Sequence, residues 1–151
     1  MRRALAILLV DDDEGDVELV RRALKGEQEP CHLSVVHNGL QALDYLHRRG
    51  KFGEAARPDL IFIDINMPGM DGKQLLERMQ QDDDLKAIPT VMLTGSEAPK
   101  DVLDCYARNV NCYVVKPFDA QMSMNVVRQL VTFWSVVPLL PSRVALVHPH
   151  R

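Results

Sequence analysis

Short apolar runs alternate along this chain with longer stretches in which apolar residues recur every three or four positions. Five runs are rich in Ile, Val and Leu: Leu5 to Val10, Leu33 to His37, Leu60 to Asp64, Thr90 to Thr94 and Cys112 to Val115. Each is short and nearly continuous in apolar side chains, as strands buried on both faces require.

The stretches between them predict helices. The first runs from about Asp16 to Lys25 on Val17, Val20 and Leu24, with Gly26 as a stop signal. The second, Gly39 to Arg49, puts Leu40, Leu43 and Leu46 on one face before Gly50. A third spans Gly72 to Gln81 on Leu75, Leu76 and Met79. The fourth, near Pro99 to Asn109, opens on a proline, whose missing N–H costs little in a first turn. The fifth begins near Asp119 and stops before Pro138. Regular βα alternation implies an α/β fold, a doubly wound parallel sheet with right-handed crossovers and helices on both faces.

Composition narrows the class. The 151 residues suffice for one core. At 46% hydrophobic and 26% charged, the chain has the balance of an ordinary globule, and no apolar run reaches the length of a membrane span. The amino-terminal apolar run is followed at once by acids, so it reads as a buried strand and not a signal peptide. A net charge of −3 leaves no electrostatic footprint for nucleic acid. Cys31, Cys105 and Cys112 are odd in number and lack metal-type spacing, which predicts reduced thiols in a cytoplasmic protein. The expected organisation is one domain over residues 1–137, then an apolar arm and tail over 138–151 with no effector domain. The closing HPHR, with His148 and His150, reads as a tail and not a metal site.

Ligands in open α/β sheets bind beyond the carboxyl ends of the strands. Those ends are chemically loaded here: Asp11, Asp12 and Asp13 after the first strand, Asp64 at the third, Thr94 at the fourth and Lys116 after the fifth. Two carboxylates about 4 Å apart repel by about 4 kcal/mol at an effective dielectric near 20, so several together require a counterion or a proton. Hard oxygen donors with open positions suit Mg²⁺, which also takes phosphate oxygens. Beside such an ion, Asp64 has the position of a nucleophile toward phosphorus, with Lys116 as a point charge and Thr94 as a hydroxyl donor. Any one of these acids could instead cap the following helix, and a lone Lys or Thr at a strand end is usually structural. Separate capping roles do not predict acids, a hydroxyl and an amine at the same edge of four strands.

LLVDDDEGD (8–16), PDLIFIDINMPGMDG (58–72), PTVMLTGS (89–96) and NCYVVKPF (111–118) together resemble the response-regulator receiver family, the phosphoacceptor modules of two-component signalling. The resemblance covers about Leu5 to Val137 and implies a flavodoxin-like sheet of order 2-1-3-4-5. It makes Asp64 the phosphoacceptor and Asp11 with Asp12 the acidic pair. Asp12 is implied to ligate Mg²⁺ directly and Asp11 through water, the Asn66 carbonyl completing the protein ligands. Three consecutive acids also permit the pair Asp12 and Asp13, although the family's pair directly follows the strand. Thr94, the Gly95 N–H and Lys116 are implied to hold the phosphoryl oxygens, and Lys116-Pro117 matches a cis peptide in the family. Tyr113 is implied to be a switch that turns inward as phosphorylation draws in the Thr94 hydroxyl. Asn66 and Ser96 occupy positions that tune hydrolysis in the family. NGLQALDYLHRRGKF and FWSVVPLLP are most similar to single-domain regulators partnered with phytochrome histidine kinases, so the expected partner is a sensor histidine kinase of that type.

The last helix carries two apolar stripes, Met122, Val126, Leu130, Phe133 and Val137, and Met124, Val127, Val131 and Trp134. Together they are wider than one sheet face needs. With Leu139 and Leu140 beyond Pro138, this predicts a homodimer through Val126, Leu130, Phe133, Trp134, Val137, Leu139 and Leu140, against the alternative that the arm folds back on its own domain. The expected product is a conformational signal and not turnover, so the chain is not read as an enzyme. Two other functions stay in view. Asp11-x-Asp13 also suits a haloacid-dehalogenase-type Mg²⁺ phosphatase with Asp11 as nucleophile, and a receiver fold can serve as a phosphorylation-independent interaction module.

Overall fold

The computed structural model describes residues 4–26, 30–142 and 144. Its elements are β1 (Leu5–Val10), α1 (Glu14–Lys25), β2 (Cys31–Val36), α2 (Gly39–Leu46), β3 (Leu60–Ile63), α3 (Gly72–Gln80), β4 (Thr90–Thr94), α4 (Pro99–Ala107), β5 (Cys112–Val115) and α5 (Ala120–Val136). All five strands are parallel, in the order β2-β1-β3-β4-β5, the expected flavodoxin-like arrangement.

Strand alternation divides the core in two. Leu8 and Val10 of β1, Ile61 and Ile63 of β3 and Met92 of β4 pack with residues of α2, α3 and α4. The intervening positions face the other way: Ile7 and Leu9 of β1, Leu60 and Phe62 of β3, and Val91 and Leu93 of β4 pack with α1 and α5. β3 and β4 are buried throughout, whereas β2 and β5 form the partly exposed edges.

Several boundaries differ from expectation for local reasons. α1 starts at Glu14 because the Asp13 carboxylate accepts the Asp16 N–H at 3.0 Å and caps the helix. α2 ends at Leu46, well before Arg49, because Arg48 and then Gly50 take positive φ values of 57° and 56°. β2 begins at Cys31, two residues early, since Cys31 pairs with Leu5 at the start of β1.

Two expectations are corrected. Leu140, assigned from sequence to a dimer interface, is buried among α1, α5 and strand side chains of its own domain. Ser142 fixes the same turn by hydrogen-bonding Asp59, so this part of the arm folds back, where burying a leucine gains about 1.5–3 kcal/mol. The Lys116–Pro117 peptide is trans, as are all peptides among the described residues, in keeping with the residual trans preference of an X–Pro bond. The HPHR segment lies outside the described residues.

Candidate functional site at the β1/β3 edge

The strand order reverses direction between β1 and β3, which opens a crevice at their carboxyl ends. Val10 and Ile63 are register partners there, and the Asp64 N–H donates to the Val10 carbonyl at 3.0 Å. Asp11 and Asp64 thus leave the sheet side by side, both buried. Neither caps a helix: Asp13 caps α1, and Asp71 caps α3 through a reciprocal box with Gln74. Capping therefore accounts for Asp13 and leaves the two buried acids free for other chemistry.

Lys116 joins them from the end of β5. Its N–H donates to the Thr94 carbonyl at 2.7 Å, and its ammonium lies 2.7 Å from Asp16, 2.9 Å from Asp11 and 3.6 Å from Asp64. Burial works against the ammonium, yet the hydrogen bond to Asp16 and the charges of Asp11 and Asp64 outweigh it and hold Lys116 above the ordinary lysine range. Asp11 shows the opposite balance. Burial pushes its carboxyl above the usual aspartate value, although Lys116 and the Asp13 N–H, donated at 2.9 Å, pull it down.

Thr94 closes β4 at the same edge. It is fully buried, and its hydroxyl has no hydrogen-bond partner among the described residues. An unmet buried hydroxyl costs about 1–3 kcal/mol, a cost that a bound acceptor such as a phosphoryl oxygen removes. Gly95, the next residue, is exposed, with open space where a side chain would stand. The first residue of α3 packs against the acceptor loop: a Cβ on Gly72 would lie 2.3 Å from the Asp64 carbonyl oxygen, and the Gly72 N–H donates to the Ile65 carbonyl at 2.9 Å. Asn66 is exposed on that loop.

Tyr113 of β5 is half-buried, with its hydroxyl donating to the Ser96 carbonyl at 2.9 Å; burial raises its phenol above the ordinary tyrosine value. The Ser96 hydroxyl in turn donates to Asp101 of α4, and Lys73 of α3 lies 2.6 Å from Asp101 and 2.9 Å from Asp104.

Asp11, Asp64, Thr94 and Lys116 are thus brought to one edge as expected. Asp12 is not: it is exposed and stands outside the acidic cluster. Asp16 stands beside the two buried acids, and its oxygen, with those of Asp11 and Asp64, forms a set within 4.8 Å of one another. Sequence reasoning missed Asp16. The signal was present, because an Asp13 cap puts Asp16 in the first turn of α1, turned back toward the strand ends. Carboxylate oxygens gathered this closely are the hard donors that suit a divalent cation.

Comparison with known proteins agrees with this chemistry. The response regulator receiver domain family matches residues 7–128. The response regulator Rcp1 of Synechocystis sp. is 36% identical over 136 residues, which is 90% of this chain and 92% of Rcp1. The Mn²⁺-bound structure of Rcp1 superposes with a TM-score of 0.85 at 36% identity, covering 91% of this chain and 99% of the other. The phosphorylated cyanobacterial phytochrome response regulator RcpA gives a TM-score of 0.88 at 34% identity, covering 92% and 99%. The fold, the buried strand-end acids and the lysine facing them have one common explanation: the chain belongs to the response regulator receiver domain family of two-component signalling.

Proposed function

We propose that this receiver accepts a phosphoryl group on Asp64 from the phosphohistidine of a sensor histidine kinase, in a reaction that requires Mg²⁺. The observation that carries the reading is the buried Asp64 carboxylate at the β1/β3 crevice, with the Lys116 ammonium 3.6 Å away and Asp11 beside it. An Asp64 oxygen forms the new P–O bond as the P–N bond of the donor breaks, and the departing imidazole takes its proton from water. Lys116 offers a fixed positive charge to the phosphoryl oxygens, and the Thr94 hydroxyl and Gly95 N–H supply donors. Asp11 and Asp64, joined by Asp12 and the Asn66 carbonyl in the family's pattern, would hold the cation. When bound, Mg²⁺ offsets the charge of the transferring group. Asp12 is exposed, so this assignment requires its carboxylate to turn inward.

The names of RcpA and of the bacteriophytochrome response regulator RtBRR, 34% identical over 99% of this chain, favour a kinase of the phytochrome type. Without a nucleic-acid footprint or a membrane-spanning helix among the described residues, the output fits protein contact in the cytoplasm, with residues 1–137 as the receiver. Tyr113 is the residue through which Thr94 would report to the α4, β5 and α5 face. A homodimer through α5 is supported by exposed Phe133, Val137 and Leu139, with Val126, Leu130 and Trp134 partly buried beside them.

Intact mass after incubation with Mg²⁺ and acetyl phosphate tests the reading: a phosphoryl adduct is expected, and Asp64→Asn should abolish it. An adduct that survives Asp64→Asn but not Asp11→Asn would favour the phosphatase chemistry instead.

A further inference from the structure

Lys116 has three N–H donors and three acids around it, and these acids have unequal futures in the reaction proposed above. Asp64 is consumed as the nucleophile, and Asp11 is a ligand to the cation. Asp16 belongs to the same acidic cluster but takes no part in that reaction as proposed, and it makes the shortest contact with the lysine, 2.7 Å. It projects from the first turn of α1, a helix whose Val17 and Val20 are locked into the core, so its position is set by a rigid element. Two of the three lysine donors are used, by Asp16 and Asp11, and Asp64 at 3.6 Å is the next acceptor.

We propose that Asp16 is the positioning residue for Lys116: it anchors the ammonium throughout the cycle and leaves the remaining donors directed toward the phosphoryl group on Asp64. The inference rests on the phosphoacceptor reading. Its logic is geometric. Once Asp11 turns its charge to a cation and Asp64 becomes an acyl phosphate, Asp16 is the acid among these three that still fixes a long, flexible amine. A lysine without that anchor samples several rotamers, and a loosely held catalytic group loses rate rather than ground-state binding.

The test compares wild type, Asp16→Asn, Lys116→Met and the double variant in acetyl phosphate labelling at saturating Mg²⁺, with Mg²⁺ affinity measured separately. Labelling of the wild type establishes the underlying reading on its own. Asp16→Asn is expected to slow labelling about tenfold, to leave Mg²⁺ affinity within about twofold, and to add no loss in the Lys116→Met background. Asp16→Glu, which restores the charge, should recover part of the rate. The proposal is overturned if Asp16→Asn weakens Mg²⁺ binding tenfold, which makes Asp16 a cation ligand. It also fails if the rate is unchanged or if the two losses multiply. Thermal unfolding of each variant separates these results from failure to fold.

Discussion

The Tyr113 hydroxyl donates to the Ser96 carbonyl at 2.9 Å while the Thr94 hydroxyl, two residues before Ser96, is buried without a partner among the described residues. The tyrosine is therefore docked on the β4–α4 loop. Tyr113→Phe should cost about 1 kcal/mol of stability, the net worth of one hydrogen bond. It should also uncouple the loop from β5. Denaturant unfolding checks the first, and backbone amide shifts at Ser96 and Glu97 on phosphorylation check the second.

Lys73 ties α3 to α4 through Asp101 and Asp104. Its hydrogen bonds hold both carboxyls below the usual value of 3.8 and hold Lys73 itself above the ordinary lysine range. A carboxyl depressed in the folded state favours folding above the unfolded pKa, and that contribution is lost as pH falls through the lower folded value. The clamp should therefore weaken below about pH 4. Lys73→Met should flatten this acid limb in unfolding profiles taken across that range: the variant loses stability above the limb and converges on wild type below it, with a small loss because the groups are partly exposed.

Gly72→Ala separates helix propensity from packing. Alanine is favoured over glycine within a helix by about 1 kcal/mol. Here its methyl would stand 2.3 Å from the Asp64 carbonyl oxygen and 2.9 Å from the Ile65 Cα. Backbone cannot yield as a flexible side chain can, so a net loss of about 1–3 kcal/mol is expected, with impaired labelling of Asp64. Calorimetry on the purified variant gives the sign directly.

Alternation of apolar runs and helical periods disclosed the strand and helix identities because both reflect burial against one sheet. The site was legible where strand ends coincide with charged residues, as at Asp11, Asp64 and Lys116. It was less legible at the run of three acids, because what separates them is direction and not type. Asp11 turns into the crevice, Asp12 to solvent, and Asp13 to the N–H of Asp16. Leu140 eluded the pattern for a related reason: an apolar residue beyond a helix can cover its own core or a neighbour's, and only the path of the chain after Pro138 decides which.

Asp11→Asn puts the electrostatics of the crevice to a direct test. Burial raises the Asp11 carboxyl, so its ionised form is a cost to the metal-free fold that Lys116 only partly offsets. Replacing it with the neutral amide removes that cost but also weakens the 2.9 Å contact with Lys116, while the amide oxygen can still accept the Asp13 N–H. The two effects oppose each other, and metal-free stability should move by no more than about 1 kcal/mol, roughly 2–4 °C in Tm. Mg²⁺ behaves differently. A cation at a hundred times its Kd stabilises the native wild type by about 2.7 kcal/mol, and loss of a buried carboxylate ligand should abolish most of that gain. Thermal scans with and without Mg²⁺ distinguish the cases: a full Mg²⁺-dependent rise in the Asn variant would remove Asp11 from the cation site.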